Sequence, residues 1–471
     1  MTQPTPDKSP INLDTLEDVQ ESDTLDLSDQ RIIAVSEALE QAQARGAVER
    51  YTNDLEPADW ASLLEKIEDE KTVQLTALVA DSIPHETFAY LGKDTAKLVL
   101  KNLEPKVIAD IIADLDTDDA IDLLDPYGPI DRQEILRYVS RNIRALVEEG
   151  LTYPEDSVGR LMRRDFVAVP QFWTVGKTLD YLRGLGDALP SELNTVYITD
   201  PAHHVIGELP IVEFLRQDRK AKLDGIKQPS DHALSVTMDQ EEAAYFFRRR
   251  NLSSVPVIDD DERMIGVVTL DDIADVIEEE AQEDIMRLAG VPDIDIYRGI
   301  LGTIRSRFTW LALNLLTAIL ASVAIGFFEE TLTQVVALAI LMPIVASMGG
   351  NAGTQTLAVI VRAIATRELS DVNTYRVIGK EAFVGLVNGL GFAVIGGGVA
   401  YYWFDDPMIA VIIAVAMLFN LLIAGVCGVA IPIILNKMKI DPALASSVFL
   451  TTITDIAGFV LFLGMATIWL L

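Results

Sequence analysis

Hydrophobic and polar positions divide the chain into stretches with different periodicities. From residue 31 to 150, apolar residues recur at helical spacing between short turns, which predicts a helical domain. From 151 to 278, short apolar runs typical of strands alternate with polar turns and amphipathic runs, which predicts an α/β region. Residues 279–306 read as an acidic-to-basic connecting helix, and residues 307–471 as an all-α transmembrane domain. Residues 1–30 have no sustained apolar period, which predicts a disordered tail.

The helical stretch contains a repeated unit. LEPADWASLLEKI at Leu55, IPHETFAYL at Ile83 and LEPKVIADIIADL at Leu103 each place an aliphatic residue and a turn residue before an amphipathic run. Each unit carries a proline near the helix start, where a missing backbone donor is tolerated. Short helices that repeat in this way predict a small superhelical domain.

A second repeat lies in the α/β region. TVYITDPAHHVIGELPIVEFL at Thr195 aligns without gaps on SVPVIDDDERMIGVVTLDDIA at Ser254, so that Asp200 matches Asp259 and Gly207 matches Gly266. Each copy predicts strand, polar turn, strand and helix, and Asp271 is expected to cap the last helix. The pair resembles tandem CBS modules, a regulatory fold.

The CBS resemblance implies a nucleotide site in one copy only. Thr269 and Asp272 of the second copy match the family's ribose-contacting pattern, whereas the first copy has Pro210 and Glu213 there. The resemblance therefore implies at most one intact site, for ATP or another adenine nucleotide. A packed pair with an empty cleft is the alternative.

Five apolar stretches are long enough to span a bilayer. The first runs over 308–328, the second starts near Leu332, and the others cover 382–404, 408–435 and 442–471; residues 351–366 either complete a long broken second helix or form a sixth span. With five spans and the N-terminus in the cytoplasm, the basic loop residues all fall inside, as the positive-inside rule requires. These residues are Arg367, Arg376, Lys380, Lys437 and Lys439. The sequence therefore predicts five spans, with the C-terminus outside the cell membrane.

Charge is distributed unevenly along the chain. Of 38 Lys and Arg and 71 Asp and Glu, six basic and nine acidic residues lie from Phe308 onward, which leaves 32 basic and 62 acidic residues before it. Such an acidic surface repels nucleic acid and attracts cations. One cysteine and four histidines do not suggest a disulfide or a zinc site. No nucleophile–base pair or phosphate-cradling loop is apparent, so an enzyme is not expected.

Asp455 is the main candidate for an ion path. It lies in LTTITDIAGFV of the fifth span, about 20 Å along a helix from Asp441. A carboxylate near mid-membrane costs several kcal/mol and usually marks an ion pathway. An ion pair with Arg362 is the alternative, but Arg362 lies close enough to the inner end of its span to reach the interface.

The stretch MPIVASMGGNAGTQTLAVIV offers a second set of oxygen donors. Asn351, Thr354 and Gln355 carry oxygens, and the glycines among them would let the backbone approach an ion path. One carboxylate with amides and carbonyls suits Mg²⁺. Mg²⁺ loses its bound water reluctantly, so a pore can recognise the hydrated ion through hydrogen bonds to that water. Close helix packing is the alternative reason for the glycines.

The order of parts resembles the MgtE family of magnesium channels and transporters over nearly the whole chain. An acidic helical domain, two CBS modules, a connecting "plug" helix and five spans with P-x5-GGNAGTQ carry the resemblance. It implies Mg²⁺ influx through a homodimer in a lipid bilayer, with the pore on the two-fold axis. Asp455 matches the family's pore carboxylate, and Ser447 stands where the family usually has a pore asparagine.

The resemblance also implies gating by cytosolic Mg²⁺ held between the soluble domains. The matching positions are Glu86, Asp118, Asp122, Asp239, Glu241, Asp272, Asp275, Glu280, Glu283 and Asp284. Like charges would hold the domains apart, and bound Mg²⁺ would neutralise them. Two departures would weaken or shift this sensing: Asn251 replaces an acidic residue, and the basic run 248–250 lies beside it.

Other functions are compatible with the same residues. A broader divalent cation transporter would also move Co²⁺, Ni²⁺ or Mn²⁺, with weak or altered Mg²⁺ sensing. A membrane-anchored nucleotide sensor would conduct nothing, and Asp455 argues against it.

Overall fold

Short amphipathic helices build the N-terminal region, and three of them have proline at the first turn. They are α1 (Asp29–Ala38), α2 (Ala44–Thr52), α3 (Pro57–Lys66), α4 (Asp69–Val79), α5 (Lys93–Leu100), α6 (Pro105–Asp114), α7 (Thr117–Leu124), α8 (Pro129–Leu136) and α9 (Arg141–Gly150). They enclose one apolar core that contains Trp60, Leu100 and Ile112. Burying such side chains stabilises a fold by about 1.5–3 kcal/mol each.

The predicted helical repeat holds for two of its three units. Helices α3 and α6 each have ten residues with proline at the first turn, and each ends at an extended residue, Ile67 or Leu115. The unit at Ile83 differs, because Pro84 precedes a five-residue 3-10 helix, His85–Ala89. The middle repeat therefore forms a tight turn instead of a full helix.

The computed structural model describes residues 29–41, 43–186, 189–190, 193–230, 232–291, 300–370 and 372–471. Most of the predicted tail, 1–28, and residues 292–299 of the predicted connecting segment lie outside these described residues. The chain divides into two compact units, with the boundary between Val276 and Ile277.

The α/β region contains two similar three-stranded sheets. Helix α10 (Val158–Leu161) precedes both sheets in the chain and packs in the core of the second. The first part comprises β1 (Ala168–Pro170), α11 (Val175–Leu185), β2 (Thr195–Thr199), β3 (Val205–Pro210) and α12 (Ile211–Arg216); the second comprises β4 (Leu234–Ser235), α13 (Gln240–Arg250), β5 (Ser254–Ile258), β6 (Met264–Thr269) and α14 (Leu270–Leu288). In each sheet the first strand is parallel to the second, and the second is antiparallel to the third. The predicted strand–turn–strand–helix repeat is confirmed.

The turns that join the paired strands have the same construction in both copies. The Asp200 carboxylate accepts hydrogen bonds from the backbone N–H groups of residues 202 and 204, and Asp259 does the same for residues 261 and 263. His203 and Glu262 occupy the left-handed region at φ 68° and 63°. The matched aspartates therefore shape the turns.

The membrane region consists of long apolar helices. These are α15 (Ile300–Gly326), the short α16 (Glu329–Gln334), α17 (Val336–Ala365), α18 (Thr374–Phe404), α19 (Pro407–Lys437) and α20 (Pro442–Leu470). Five of them are long and apolar enough to cross a membrane, which confirms the predicted number of spans.

The prediction of a break in the second spanning helix is wrong. Helix α17 runs without interruption for 30 residues through GGNAGTQ, with Pro343 inside it. Asp271 also differs from its expected role, because it lies in the first turn of α14 and not ahead of the helix.

Candidate functional site

Asp455 lies half-buried in α20, within a 29-residue helix that has no other carboxylate. Among the described residues, no hydrogen bond or ion pair reaches its side chain, and Arg362, the alternative partner, is exposed on α17. One turn away, the Thr451 hydroxyl donates to the Ser447 carbonyl at 2.9 Å. Asp455 therefore offers an uncompensated carboxylate inside the apolar region.

The amide-rich stretch of α17 has two faces. Asn351, Thr354 and Gln355 are exposed, while Gly349 and Gly353 are buried. A methyl group at Gly353 would lie 2.9 Å from a methyl carbon of Leu450 on α20. Close helix packing, the alternative reading, accounts for these two glycines.

Asn420 of α19 fills the space that buried Gly349 leaves. Its side chain is fully buried and donates a hydrogen bond of 2.9 Å to the Val345 carbonyl of α17. A methyl group at Gly458 of α20 would lie 2.8 Å from the Asn420 amide nitrogen. One amide therefore joins three spanning helices.

Among the described residues, no hydrogen bond joins Gln355 to Asp455. Gln355 lines a small cavity with Glu381 and Asn388 of α18, and the Thr356 hydroxyl lies 3.5 Å from the Glu381 carboxylate. The cavity gives the spanning region a second polar position.

A cluster of carboxylates surrounds Arg163 in the first of the two compact units; we call it the Arg163 cluster. It consists of Arg163, Asp116, Asp118, Asp119, Asp271 and Asp272. Asp118 and Asp119 lie in the first turn of α7, where the positive end of the helix dipole favours acids, and Asp271 and Asp272 lie in the first turn of α14. The structure thus brings predicted sensor residues Asp118 and Asp272 to one arginine.

Electrostatics in the Arg163 cluster favour cation binding. Oxygens of Asp116, Asp118 and Asp119 lie within 4.8 Å of one another, and Oδ1 of buried Asp118 has no hydrogen-bond partner among the described residues. Burial and the neighbouring Asp119 raise the pKa of Asp118 well above its usual range. Burial and Asp116 raise the pKa of Asp119 to about 6. These carboxylates repel one another, and a bound cation would relieve that repulsion. Their hard oxygen atoms are ligands that suit Mg²⁺.

The remaining sensor candidates in this unit are Glu86, Asp122, Asp239, Glu241 and Asp275, and Asp122 contributes to the electrostatic environment of Asp119. Glu86 and Asp122 are exposed, on the 3-10 helix and on α7. Asp239 is the N-cap of α13 and accepts a hydrogen bond from the Glu241 N–H at 2.9 Å. Asp275 is exposed on α14.

Asn251 has a conformational role. It ends α13 in the left-handed region at φ 55°, where asparagine is better tolerated than most residues. The three arginines before it are exposed, and Arg250 contacts His232 at 2.8 Å. Among the described residues, no ion pair joins these arginines to the Arg163 cluster.

In the second unit, the three acidic residues predicted on the plug helix, Glu280, Glu283 and Asp284, lie near Asp441 and Arg287. Arg287 pairs with both Glu283 and Asp441. Burial and the nearby Asp441 raise the pKa of Asp284 to about 6. Glu280 also raises the pKa of Asp284, whereas Arg287 lowers it.

Thr269 and Asp272, the residues predicted to contact a nucleotide, are hydrogen-bonded to each other. The Thr269 hydroxyl and N–H donate to one Asp272 oxygen at 2.6 and 2.8 Å, and Arg163 binds the other oxygen. Thr269 and Arg163 also line a cleft with Tyr197 and Ser254.

Sequence reasoning missed Arg163, Arg287 and Asp441. Arg163 and Asp272 are 109 residues apart, so no periodic pattern links them. Only the dense acidic run 116–122 could have indicated a wider cluster at α7.

Comparisons with known proteins place these features in a wider group. A family model described as the divalent cation transporter domain of MgtE matches residues 342–465, the MgtE intracellular N domain matches 55–156, and the CBS domain matches 228–279. The chain is 29% identical over 446 residues to a magnesium transporter of Thermus thermophilus, covering 93% of this chain and 98% of that protein. It is 30% identical over 324 residues to a magnesium transporter of Enterococcus faecalis, covering 69% of this chain and 71% of that protein.

A solved structure is also similar. The cytosolic domain of a Mg²⁺ channel in complex with ATP is 27% identical, with a TM-score of 0.47, and covers 52% of this chain and 99% of that chain.

Proposed function

Because the chain belongs to the MgtE family, we propose that it mediates Mg²⁺ influx through a pore that uses Asp455. The family consists of membrane transporters, not enzymes, and curated relatives at 29–30% identity are magnesium transporters. Mg²⁺ is therefore the transported ion.

The observation that carries the pore assignment is the uncompensated carboxylate of Asp455. A half-buried acid in an apolar helix is costly, and no described side chain offsets that cost. A passing hydrated Mg²⁺ would supply the missing positive charge. The Ser447 carbonyl and the exposed amides of Asn351 and Gln355 are further candidate oxygens.

A homodimer in a lipid bilayer fits this assignment. Asn351, Thr354 and Gln355 are exposed in the single chain although they lie in an apolar helix, so a second copy would give these polar groups a shielded path. The distribution of basic loop residues favours a cytoplasmic N-terminus and a C-terminus outside.

Gating by cytosolic Mg²⁺ is the second part of the proposal. Asp116, Asp118 and Asp119 would hold an ion in the first unit, and Asp284 with Asp441 would do so in the second. The buried, unpartnered Oδ1 of Asp118 supports this fit. Bound Mg²⁺ would lower the repulsion within each cluster, which favours a closed arrangement of the soluble domains.

An adenine nucleotide at the CBS pair completes the proposal. The hydroxyls of Thr269 and Ser254, which line the cleft, suit a ribose. A ribose at Asp272 has to displace the Thr269 hydroxyl, so binding should be weak.

The alternative is a broader divalent cation transporter. The family description, which names divalent cations without restriction, favours keeping it. Competition by Co²⁺, Ni²⁺ and Mn²⁺ at equal concentration decides between the two.

Fluorescent Mg²⁺ uptake into reconstituted vesicles tests the proposal. Wild type should transport Mg²⁺, and Asp455→Asn should reduce flux to background because it keeps the shape and removes the charge. Asp405→Asn is the matched control, since Asp405 is an exposed left-handed residue where asparagine fits equally well. Unchanged flux in Asp455→Asn at normal incorporation would refute the pore assignment.

A further inference from the structure

Arg163 is held in place by backbone contacts that need no metal ion. Its N–H donates to the Val267 carbonyl at 2.8 Å, and the Val267 N–H donates back to the Arg163 carbonyl at 3.0 Å. Gly266 leaves room for this approach, because a methyl group there would lie 2.9 Å from the Arg163 carbonyl oxygen. The backbone of Arg163 is therefore fixed against β6, and its side chain extends from that fixed position.

The guanidinium joins two parts of the first unit. It binds Asp271 at 2.7 Å and Asp272 at 2.5 Å at the start of α14, and it reaches Asp116 at 3.1 Å and Asp118 at 3.8 Å at the start of α7. Its side chain is only 19% exposed, so these attractions are less screened than those of surface pairs. The planar fork of arginine suits several carboxylates at once.

This arrangement leads to a role for Arg163 that deepens, and rests on, the proposed gating by cytosolic Mg²⁺. We infer that Arg163 is a resident cation of its cluster, which holds α7 against the CBS pair without metal and limits how far that contact depends on Mg²⁺. One positive charge faces five carboxylates, so an excess of negative charge is left for a divalent ion. Arg163 and Mg²⁺ therefore share the neutralisation.

The basic run 248–250, which we expected to weaken or shift Mg²⁺ sensing, lies in a different position from Arg163. The run at 248–250 is exposed at the end of α13, and its described contacts include Tyr245 and His232. Arg163 alone among these four arginines lies between the acidic ends of α7 and α14.

Hydrogen–deuterium exchange on the full-length protein in lipid nanodiscs tests the inference. Amides of α7 are compared in chelator and in millimolar Mg²⁺, for wild type and Arg163→Gln. Wild type should be protected in both conditions. Arg163→Gln should exchange about tenfold faster in chelator, within the range typical of coupled sites, and should regain protection in Mg²⁺.

Arg164→Gln is the matched control. Arg164 is the next residue and also ties the two parts, through Glu149 at 2.8 Å and the Ile265 carbonyl at 2.9 Å. Among the described residues, its hydrogen bonds and ion pair go to Ile265 and Glu149 and to no carboxylate of the cluster, so its loss should change exchange equally with and without Mg²⁺. If Arg163→Gln unfolds, Arg163→Lys replaces it; this variant keeps the charge but loses the fork, and its smaller increase in chelator should also be reversed by Mg²⁺.

Three results would overturn the inference. They are wild-type protection of Arg163→Gln in chelator, a loss that Mg²⁺ does not restore, and a wild type that is itself unprotected in chelator. Failure of the proposed function would appear separately, as absence of Mg²⁺ flux through wild-type protein in vesicles.

Discussion

The Arg163 cluster and Asp455 solve the problem of a buried carboxylate in opposite ways. In the cluster, carboxylates from α7 and α14 share one fixed guanidinium. In α20, Asp455 has no charged or hydrogen-bonding partner among the described residues. A resident counter-charge makes an acid part of the structure, whereas its absence leaves the acid free to interact with an ion that comes and goes.

The largest effect should come from giving Asp455 a permanent partner. Thr451→Lys places an ammonium one turn away on α20, and we expect Mg²⁺ flux to fall to background although the carboxylate remains. Vesicle uptake measures this, with Thr451→Ala as the control for the lost hydroxyl. If Thr451→Lys carried as much flux as Thr451→Ala, a permanent counter-charge beside Asp455 would not matter, and the proposed difference between Asp455 and the Arg163 cluster would be wrong.

The next largest effect concerns the buried partner of Arg163. Asp272→Asn leaves the guanidinium under-neutralised, and breaking a buried pair of this kind costs about 3–5 kcal/mol. Asp271→Asn is the control, because the Asp271 side chain is 49% exposed and its pair should contribute at most about 1 kcal/mol. Chemical unfolding of the first unit, followed by fluorescence, compares the two variants. Equal losses would show that burial does not set the strength of these pairs.

Neutralising the plug residues should have an intermediate effect. In Glu280→Gln, Glu283→Gln, Asp284→Gln combined, repulsion and ion bridges disappear together, so internal Mg²⁺ should inhibit with a shallower curve. Coupling between such sites is typically about 1–3 kcal/mol. Patch-clamp titration of internal Mg²⁺ provides the measurement. A curve with wild-type steepness and midpoint would mean that this helix face is only solvated surface.

The smallest effect should come from a buried polar group without charge. Asn420→Ala removes one hydrogen bond to Val345, which costs about 1 kcal/mol, and should leave Mg²⁺ selectivity unchanged. Thermal melting and vesicle uptake together test this. Altered ion selectivity would place Asn420 in the ion path and would weaken the claim that charge distinguishes Asp455.

The sequence predicts periodic features well and long-range contacts poorly. The five spans and the duplicated strand–turn–strand–helix follow from local apolar patterns, and both are present. The break expected at GGNAGTQ does not form, because buried Gly349 and Gly353 pack against Asn420 and Leu450 inside a continuous helix. Arg163 could not be found, since its partner Asp272 lies 109 residues away in the chain and no local pattern links the two.

The duplicated turns have a consequence for how this regulatory region could have arisen. His203 and His204 of one copy pair with Met264 and Arg263 of the other, so equivalent positions meet across an internal two-fold relation. An ancestor with a single module could have formed the same contact between two identical chains. Pro210 and Glu213 of the first copy match Thr269 and Asp272 of the second in sequence, so the two copies differ at these positions although their turns are built alike.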